Sequence, residues 1–206
     1  PLDGSLAPGA DLRAALALDD TLIPLKITPN RADCLSLLGI GRDVAAVTGA
    51  PLAVPAPPAV PVTATARRAV RVDDPIACPR FASRLIEGID ATAPTPGWMK
   101  ARLERSGIRA ISAVVDVTNY VMLELGQPLH AYDDGLLDGS IVVRFARGGE
   151  TLTLLNGQVL ALEPDLLLVA DERKPLGLAG IMGGEHSGIG DATTTVFLEG
   201  AFWNPA

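Results

Sequence analysis

An α+β fold is what this sequence predicts, on three observations. Helix signals come first, strand signals follow in a run, and a proline-rich stretch separates a short leading unit from the rest. With 206 residues, 48% of them apolar, the chain can build one large domain or two small ones around a real core.

The leading unit, residues 1–50, is expected to be a small α/β element. In LIPLKIT, Ile23, Leu25 and Ile27 alternate on one face, which predicts an edge strand because Pro24 interrupts any ladder. DCLSLLGIGRDVAAVTGAP predicts a helix, with Asp33 capping its start and Ile40, Val44 and Val47 sharing a face. Gly49 and Pro51 stop it. Gly39 and Gly41 each cost about 1 kcal/mol there relative to alanine. Something must therefore approach that turn closely, or the helix begins after it. Residues 51–66, PLAVPAPPAVPVTATA, read as an extended connector, since their prolines lack the N–H that a ladder or helix interior needs.

Residues 67–206 form the larger unit. RFASRLIEGI predicts a strand. TPGWMKARLERSGI carries a full set of helix signals: Thr95 as N-cap, Pro96 in the first turn, Met99 and Leu103 in register, Gly107 as terminator. In VVDVTNYVMLELGQPLHAYD, Val114, Val117, Val121 and Leu125 recur at helical spacing and Gly126 with Pro128 marks the stop. Thr118 and Asn119 fall on a different face of that helix. IVVRFA is a strand, and ETLTLLNGQVLAL a hairpin turning at Asn156–Gly157. LLLVAD, LGLAGIMGG and TVFLEGAFW add three more strands.

Composition narrows the function classes. A net charge of −7 and 4% aromatic residues argue against a free-standing nucleic-acid binder, which needs a basic face and stacking platforms. The charge is uneven, with nine Lys and Arg against five Asp and Glu between residues 67 and 109, so a modest phosphate contact stays open there. Cys34 and Cys78 form no C-x-x-C pair and are expected as buried free thiols in a reducing cytosol. No leader and no apolar run long enough to span a bilayer is found, so a soluble, cytoplasmic protein is expected. The sequence starts at Pro1, as a piece of a longer chain would.

Candidate chemistry gathers at three places. His130, one of two histidines, follows the valine-striped helix. It is either a structural residue bonding a carbonyl or a site residue; Asp133, Asp134 and Asp138 beside it read as turn chemistry, and no metal site is expected. GLAGIMGGEHSGIG lacks the signatures of a nucleotide loop, yet Gly183 and Gly184 mark a close approach of backbone to something. Glu185 and His186 are expected in exposed loop. Glu199 sits within an apolar strand, where a carboxylate is costly unless paired or functional; the alternation of Val196 and Leu198 with Phe197 and Glu199 alternatively aims it at solvent.

Several of these stretches, ITPNRADCLSLLGIGRD, RAISAVVDVTNYVMLELGQPLHAYD, GLAGIMGG and FLEGAFW, occur in an order that resembles the beta subunit of bacterial phenylalanyl-tRNA synthetase. The resemblance covers essentially the whole chain. It implies the end of that subunit's small first domain (B1-like) up to about residue 50. From about residue 67 it implies a β-rich, mixed or antiparallel B3/B4-type editing domain with packed helices, stopping at Ala206 before an Arg-rich stretch. The implied activity is hydrolysis of tyrosine wrongly esterified to tRNA(Phe). By position, Glu199 matches the acceptor of the tyrosine hydroxyl, with Gly183 and its neighbour Gly184 in the glycine loop against the same end of the substrate. His130 matches the residue beside the ester, and Thr118, Asn119 and Arg109 match groups holding the terminal adenosine and the attacking water. The implied partners are the alpha subunit, in an alpha2beta2 heterotetramer, and tRNA(Phe). ATP and magnesium belong to the alpha subunit, and no cofactor is implied here. Ala32 and Ala110 stand where relatives often carry proline. The competing expectation is a non-catalytic module that braces the alpha subunit or orients tRNA.

Overall fold

A computed structural model describes residues 6–205. The expectations attached to Pro1 and Ala206 lie outside them.

The leading unit holds two helices. The first, α1 (Leu12–Ala15), is one turn long and capped by the Asp11 carboxylate, which accepts from the Arg13 N–H. The second, α2 (Leu37–Thr48), ends at Gly49 in the left-handed conformation. Its N-cap is Ser36, whose Oγ accepts from Gly39 N–H at 3.0 Å, and not the expected Asp33. Asp33 instead lies in a 3-10 turn, Ala32–Cys34, and is bound by the Arg31 guanidinium. That turn explains Gly39: a Cβ there would lie 1.8 Å from the Asp33 carbonyl oxygen. No strand forms over residues 22–28. Pro24 removes a donor, no described segment pairs with this stretch, and Ile23 and Leu25 stay exposed. The α2 stripe is likewise not a buried face, for Val44 and Val47 are exposed. Residues 51–66 have no regular structure.

The remainder is built on two sheets and a hairpin. In chain order the elements are β1 (Val70–Val72), β2 (Arg80–Glu87), α3 (Gly97–Arg105), α4 (Ala113–Leu125), β3 (His130–Asp133), β4 (Ile141–Phe145), β5 (Thr151–Thr153), β6 (Val159–Ala161), β7 (Leu167–Ala170), β8 (Pro175–Leu178), β9 (Met182–Gly183) and β10 (Thr195–Phe202). One sheet has the order β1-β4-β7-β8-β9, parallel only where β1 meets β4. The other, β2-β10-β3, is antiparallel with β10 in the middle. The α+β class stands. The β5–β6 hairpin turns through Asn156 and Gly157, the glycine at φ 79° and the asparagine side chain accepting from Gln158 N–H.

The two sheets face each other across the main core. Ile141, Val169 and Leu176 from one meet Tyr132 and Phe197 from the other, with Phe81, Leu85 and Trp203 packed against them. Each large side chain fully buried there contributes roughly 1.5–3 kcal/mol. Leu152, Leu154 and Leu162 fasten the hairpin region to Leu168 and Leu178 in a second cluster. β4 is buried along four of its five residues, so Arg144 within it needs a partner; Glu150 supplies one through two hydrogen bonds, at 2.9 and 2.6 Å.

Helices α3 and α4 pack through Met99, Leu103 and Tyr120. Two expected details differ. Thr95 is not a cap, as Pro96 occupies that position without a side-chain bond. The Thr95 hydroxyl donates instead to Asp116 on α4. Nor is the valine stripe the buried face of α4. Val117 is 42% exposed, whereas Asp116, Thr118 and Tyr120 are buried. The polar groups turn inward because each finds a partner: Asp116 also accepts from Ile111 N–H at 2.8 Å, and the Tyr120 hydroxyl binds Arg102 and Glu124. Asp116→Ala is therefore expected to cost about 1–3 kcal/mol, read as a lower urea midpoint, because it removes the acceptor of two partly buried bonds, from the Ile111 N–H and the Thr95 hydroxyl. A loss below 1 kcal/mol would show that water reaches both groups.

Candidate functional site

The site is assembled by the antiparallel register of β3 and β10, which sets His130 opposite Glu199 and Tyr132 opposite Phe197. Cross-strand partners share a face of a sheet, and so do residues two apart. All four side chains therefore lie on the inner face. Glu199, which its alternation with Leu198 would aim at solvent, is only 7% exposed. The Tyr132 hydroxyl donates to its Oε2 at 2.7 Å. Its Oε1 takes no hydrogen bond among the described residues.

His130 stands edge-on to Tyr132, ring centroids 4.4 Å apart. Gly183, at the margin of the facing sheet, comes down on the imidazole: a Cβ there would lie 2.3 Å from His130 Cε1 and 2.6 Å from Nε2. Nε2 is enclosed and has no hydrogen-bond partner among the described residues. Between the sheets these groups line a cavity of about 370 Å³, whose walls also include Leu129, Met182 and Trp203. That volume lies in the range of small-molecule sites.

Burial shifts both titrating groups, in opposite directions. It pushes Glu199 up to about 7, an effect only partly offset by the Tyr132 hydrogen bond. It pushes His130 down to about 4. The Tyr132 phenol is raised by burial first and by the adjoining Glu199 charge second. At neutral pH the imidazole is thus uncharged, and the carboxyl is divided between its two forms.

The sequence-predicted residues divide in two. His130, Gly183 and Glu199 meet at this cavity. Gly184, next to it, is held by the sheet: its N–H donates to Leu176 O, and a Cβ would come 2.7 Å from that oxygen. Thr118, Asn119 and Arg109 do not line the cavity. Thr118 is buried on α4 with its hydroxyl donating to Val115 O, Asn119 is half-buried on α4, and Arg109 is exposed between α3 and α4. Sequence reasoning missed Tyr132. The signal was its position two residues after His130, legible only once His130–Asp133 is known to be a strand and not part of the turn read at Asp133, Asp134 and Asp138. Turn chemistry does begin immediately after: Asp133 caps the 3-10 turn Asp134–Leu136 and accepts from Thr193 Oγ1. Cys34 and Cys78 are both buried and unpaired. Glu185 and His186 are exposed. No helix among the described residues is long and apolar enough to cross a membrane.

Fold and site together define a small two-sheet domain with an enclosed carboxyl–imidazole cleft, and residues 77–206 match the model of the B3/4 domain; the chain belongs to that family. More particularly, it resembles phenylalanine–tRNA ligase beta subunits. It is 59% identical over 198 residues to that of Aromatoleum aromaticum and 58% over 197 to that of Dechloromonas aromatica, in each case covering 96% of this chain. The Bordetella pertussis beta subunit is 54% identical over 204 residues, 99% of this chain. The chain spans about a quarter of the length of these relatives (25% of each). An N-terminal fragment of the phenylalanyl-tRNA synthetase beta subunit from Pyrococcus horikoshii aligns with 85% of this chain and 53% of its own, at 16% identity and a TM-score of 0.49. The resemblance read from the motifs holds along the chain.

Proposed function

We propose that this chain is the editing module of a phenylalanine–tRNA ligase beta subunit and hydrolyses tyrosine mistakenly esterified to tRNA(Phe). The observation that supports it is a buried carboxyl, Glu199, with one oxygen unclaimed, in a cavity that also holds an unpartnered imidazole and a glycine-walled edge. A hydrophobic synthetic pocket rejects a substrate that merely adds a hydroxyl by a factor on the order of 10². A second pocket that requires the hydroxyl discriminates further. Tyrosine satisfies Glu199 Oε1, whereas phenylalanine leaves it buried and unpaired at a cost of about 1–3 kcal/mol.

An aminoacyl ester is already activated, so the site has only to orient a water against it and keep competing groups out. His130, neutral at working pH but held at about 4, is a weak proton acceptor. Its chemistry favours orienting that water over deprotonating it outright. The reading calls on no cofactor in this region; ATP and magnesium serve the alpha subunit of a cytoplasmic alpha2beta2 heterotetramer. tRNA(Phe) is held mainly outside this acidic segment.

A second reading, a bracing or tRNA-orienting module without catalysis, is favoured by the position of Thr118, Asn119 and Arg109 off the cavity. Deacylation of Tyr-tRNA(Phe) by the complete heterotetramer separates the two. Glu199→Ala and His130→Ala are each expected to slow tyrosine release at least about tenfold. Equal release by all three proteins leaves the bracing role.

A further inference from the structure

Glu199 has a second partner besides any ligand, and that partner comes from the protein itself. Tyr132 is 2% exposed, stands edge-on to His130 and tilted against Phe197, and directs its hydroxyl at Glu199 Oε2. It is the one protein donor to this carboxyl among the described residues. A phenol has a single proton to give, so one carboxyl oxygen is claimed and the other left open. We propose that Tyr132 is the positioning residue that makes Glu199 selective: by donating to Oε2 it fixes the carboxylate as an acceptor and leaves Oε1 to take a hydroxyl from the ligand. This rests on the editing reading above and deepens it.

The surroundings leave Tyr132 little competition for that role. The titratable groups near Glu199 are Tyr132 and His130 on β3 and Cys78 ahead of β2; the imidazole is neutral, and burial raises the thiol. On β2 the residue opposite is Ser83, while Arg84 pairs with Leu198 and so belongs to the other face of the sheet. β9 brings only the Gly183 backbone to the imidazole. Arg80 and Arg84 border a neighbouring groove that Glu199 also reaches, but no described cation bonds the carboxyl or offsets its burial. Without the phenolic proton a carboxyl in such surroundings keeps its own proton to higher pH. Protonated, it keeps only an uncharged and weaker acceptor and presents an O–H beside it, so the preference for a hydroxylated ring would fade.

The test uses full-length protein in the complete ligase and measures Tyr-tRNA(Phe) deacylation between about pH 6 and 9. Tyr132→Phe keeps the ring and removes the donor. Hydrolysis is expected to fall about tenfold at neutral pH and to recover as pH rises, its limb displaced upward by about one unit from that of the unmodified enzyme. A residue that merely supports the fold would lower the rate equally at every pH. Fluorotyrosine at position 132, which keeps the shape and is a stronger donor, should move the limb the opposite way and covers the case in which Tyr132→Phe folds poorly. The carboxyl infrared band of Glu199, assigned by difference against Glu199→Gln, should follow the same displacements without reference to activity. An unmoved limb and unmoved band, with Glu199→Ala still impaired, overturn the role of Tyr132 and leave editing in place. If Glu199→Ala hydrolyses Tyr-tRNA(Phe) normally, the editing reading falls and this proposal with it.

Discussion

Replacing Gly183 by alanine is expected to lower stability by about 1–3 kcal/mol and to abolish tyrosine release. The single added carbon would lie 2.3 Å from His130 Cε1, inside the contact distance of any real side chain. Gly183 does not have a positive φ, so the penalty is one of space and not of backbone conformation. The imidazole borders the cavity and is free to yield into it. Stability and ligand access should therefore fail together. Gly184→Ala supplies the contrast. There the new carbon meets the Leu176 carbonyl oxygen and a Leu152 methyl at 2.7 and 2.8 Å, both away from His130. A backbone carbonyl in a sheet cannot swing aside, so a similar or larger loss of stability is expected with the imidazole undisturbed. Urea unfolding gives the first quantity, and the chemical shifts of the His130 ring the second. A Gly183→Ala protein with a native His130 spectrum would mean that the facing sheet moves instead.

The second large effect is on the pH dependence of stability. Glu199 has its folded value raised to about 7 from an ordinary 4.5. Between those values the native state holds more protons than the unfolded chain, so stability falls as pH rises, by about 3 kcal/mol over the window. His130 behaves oppositely. Its folded value is lowered from 6.5 to about 4, so the unfolded chain holds more protons between them and stability rises with pH by a similar amount. In the intact protein the two slopes nearly cancel from about pH 4.5 to 6.5. Single substitutions should expose each. Glu199→Gln leaves the rising slope, and His130→Gln leaves the falling one. Urea unfolding of both variants across this range should give divergent lines; lines parallel to the parent would show that neither group is as enclosed as the structure has it.

The parts of the fold legible in the sequence were those fixed by local chemistry. The Asn156–Gly157 hairpin, the stop at Gly126 and the helix over Met99 and Leu103 depend on residues within a turn or two of one another. What escaped depends on distant partners. β3 is four residues long and opens on a histidine; it becomes a strand because β10, more than sixty residues onward, pairs with it. β1 is a strand for the same reason, through β4. The inward turn of Asp116 was hidden because a carboxylate reads as a surface residue until Thr95 and Ile111 N–H are known to reach it. Glu199 was ambiguous for a related reason. Period-two alternation says which residues share a face but not which face is covered, and only the β1–β9 sheet lying over it decides.

The order β2-β10-β3 has a consequence for how the molecule comes into being. The strand that bridges its two neighbours leaves the ribosome after both of them, so until β10 emerges β2 and β3 wait with their backbone groups open. Neither half of the cleft can be rehearsed early, because His130 has no carboxyl to face until residue 199 has emerged. A nascent chain halted before that point would hold the imidazole without its counterpart, and should bind tyrosine no better than an unfolded polymer.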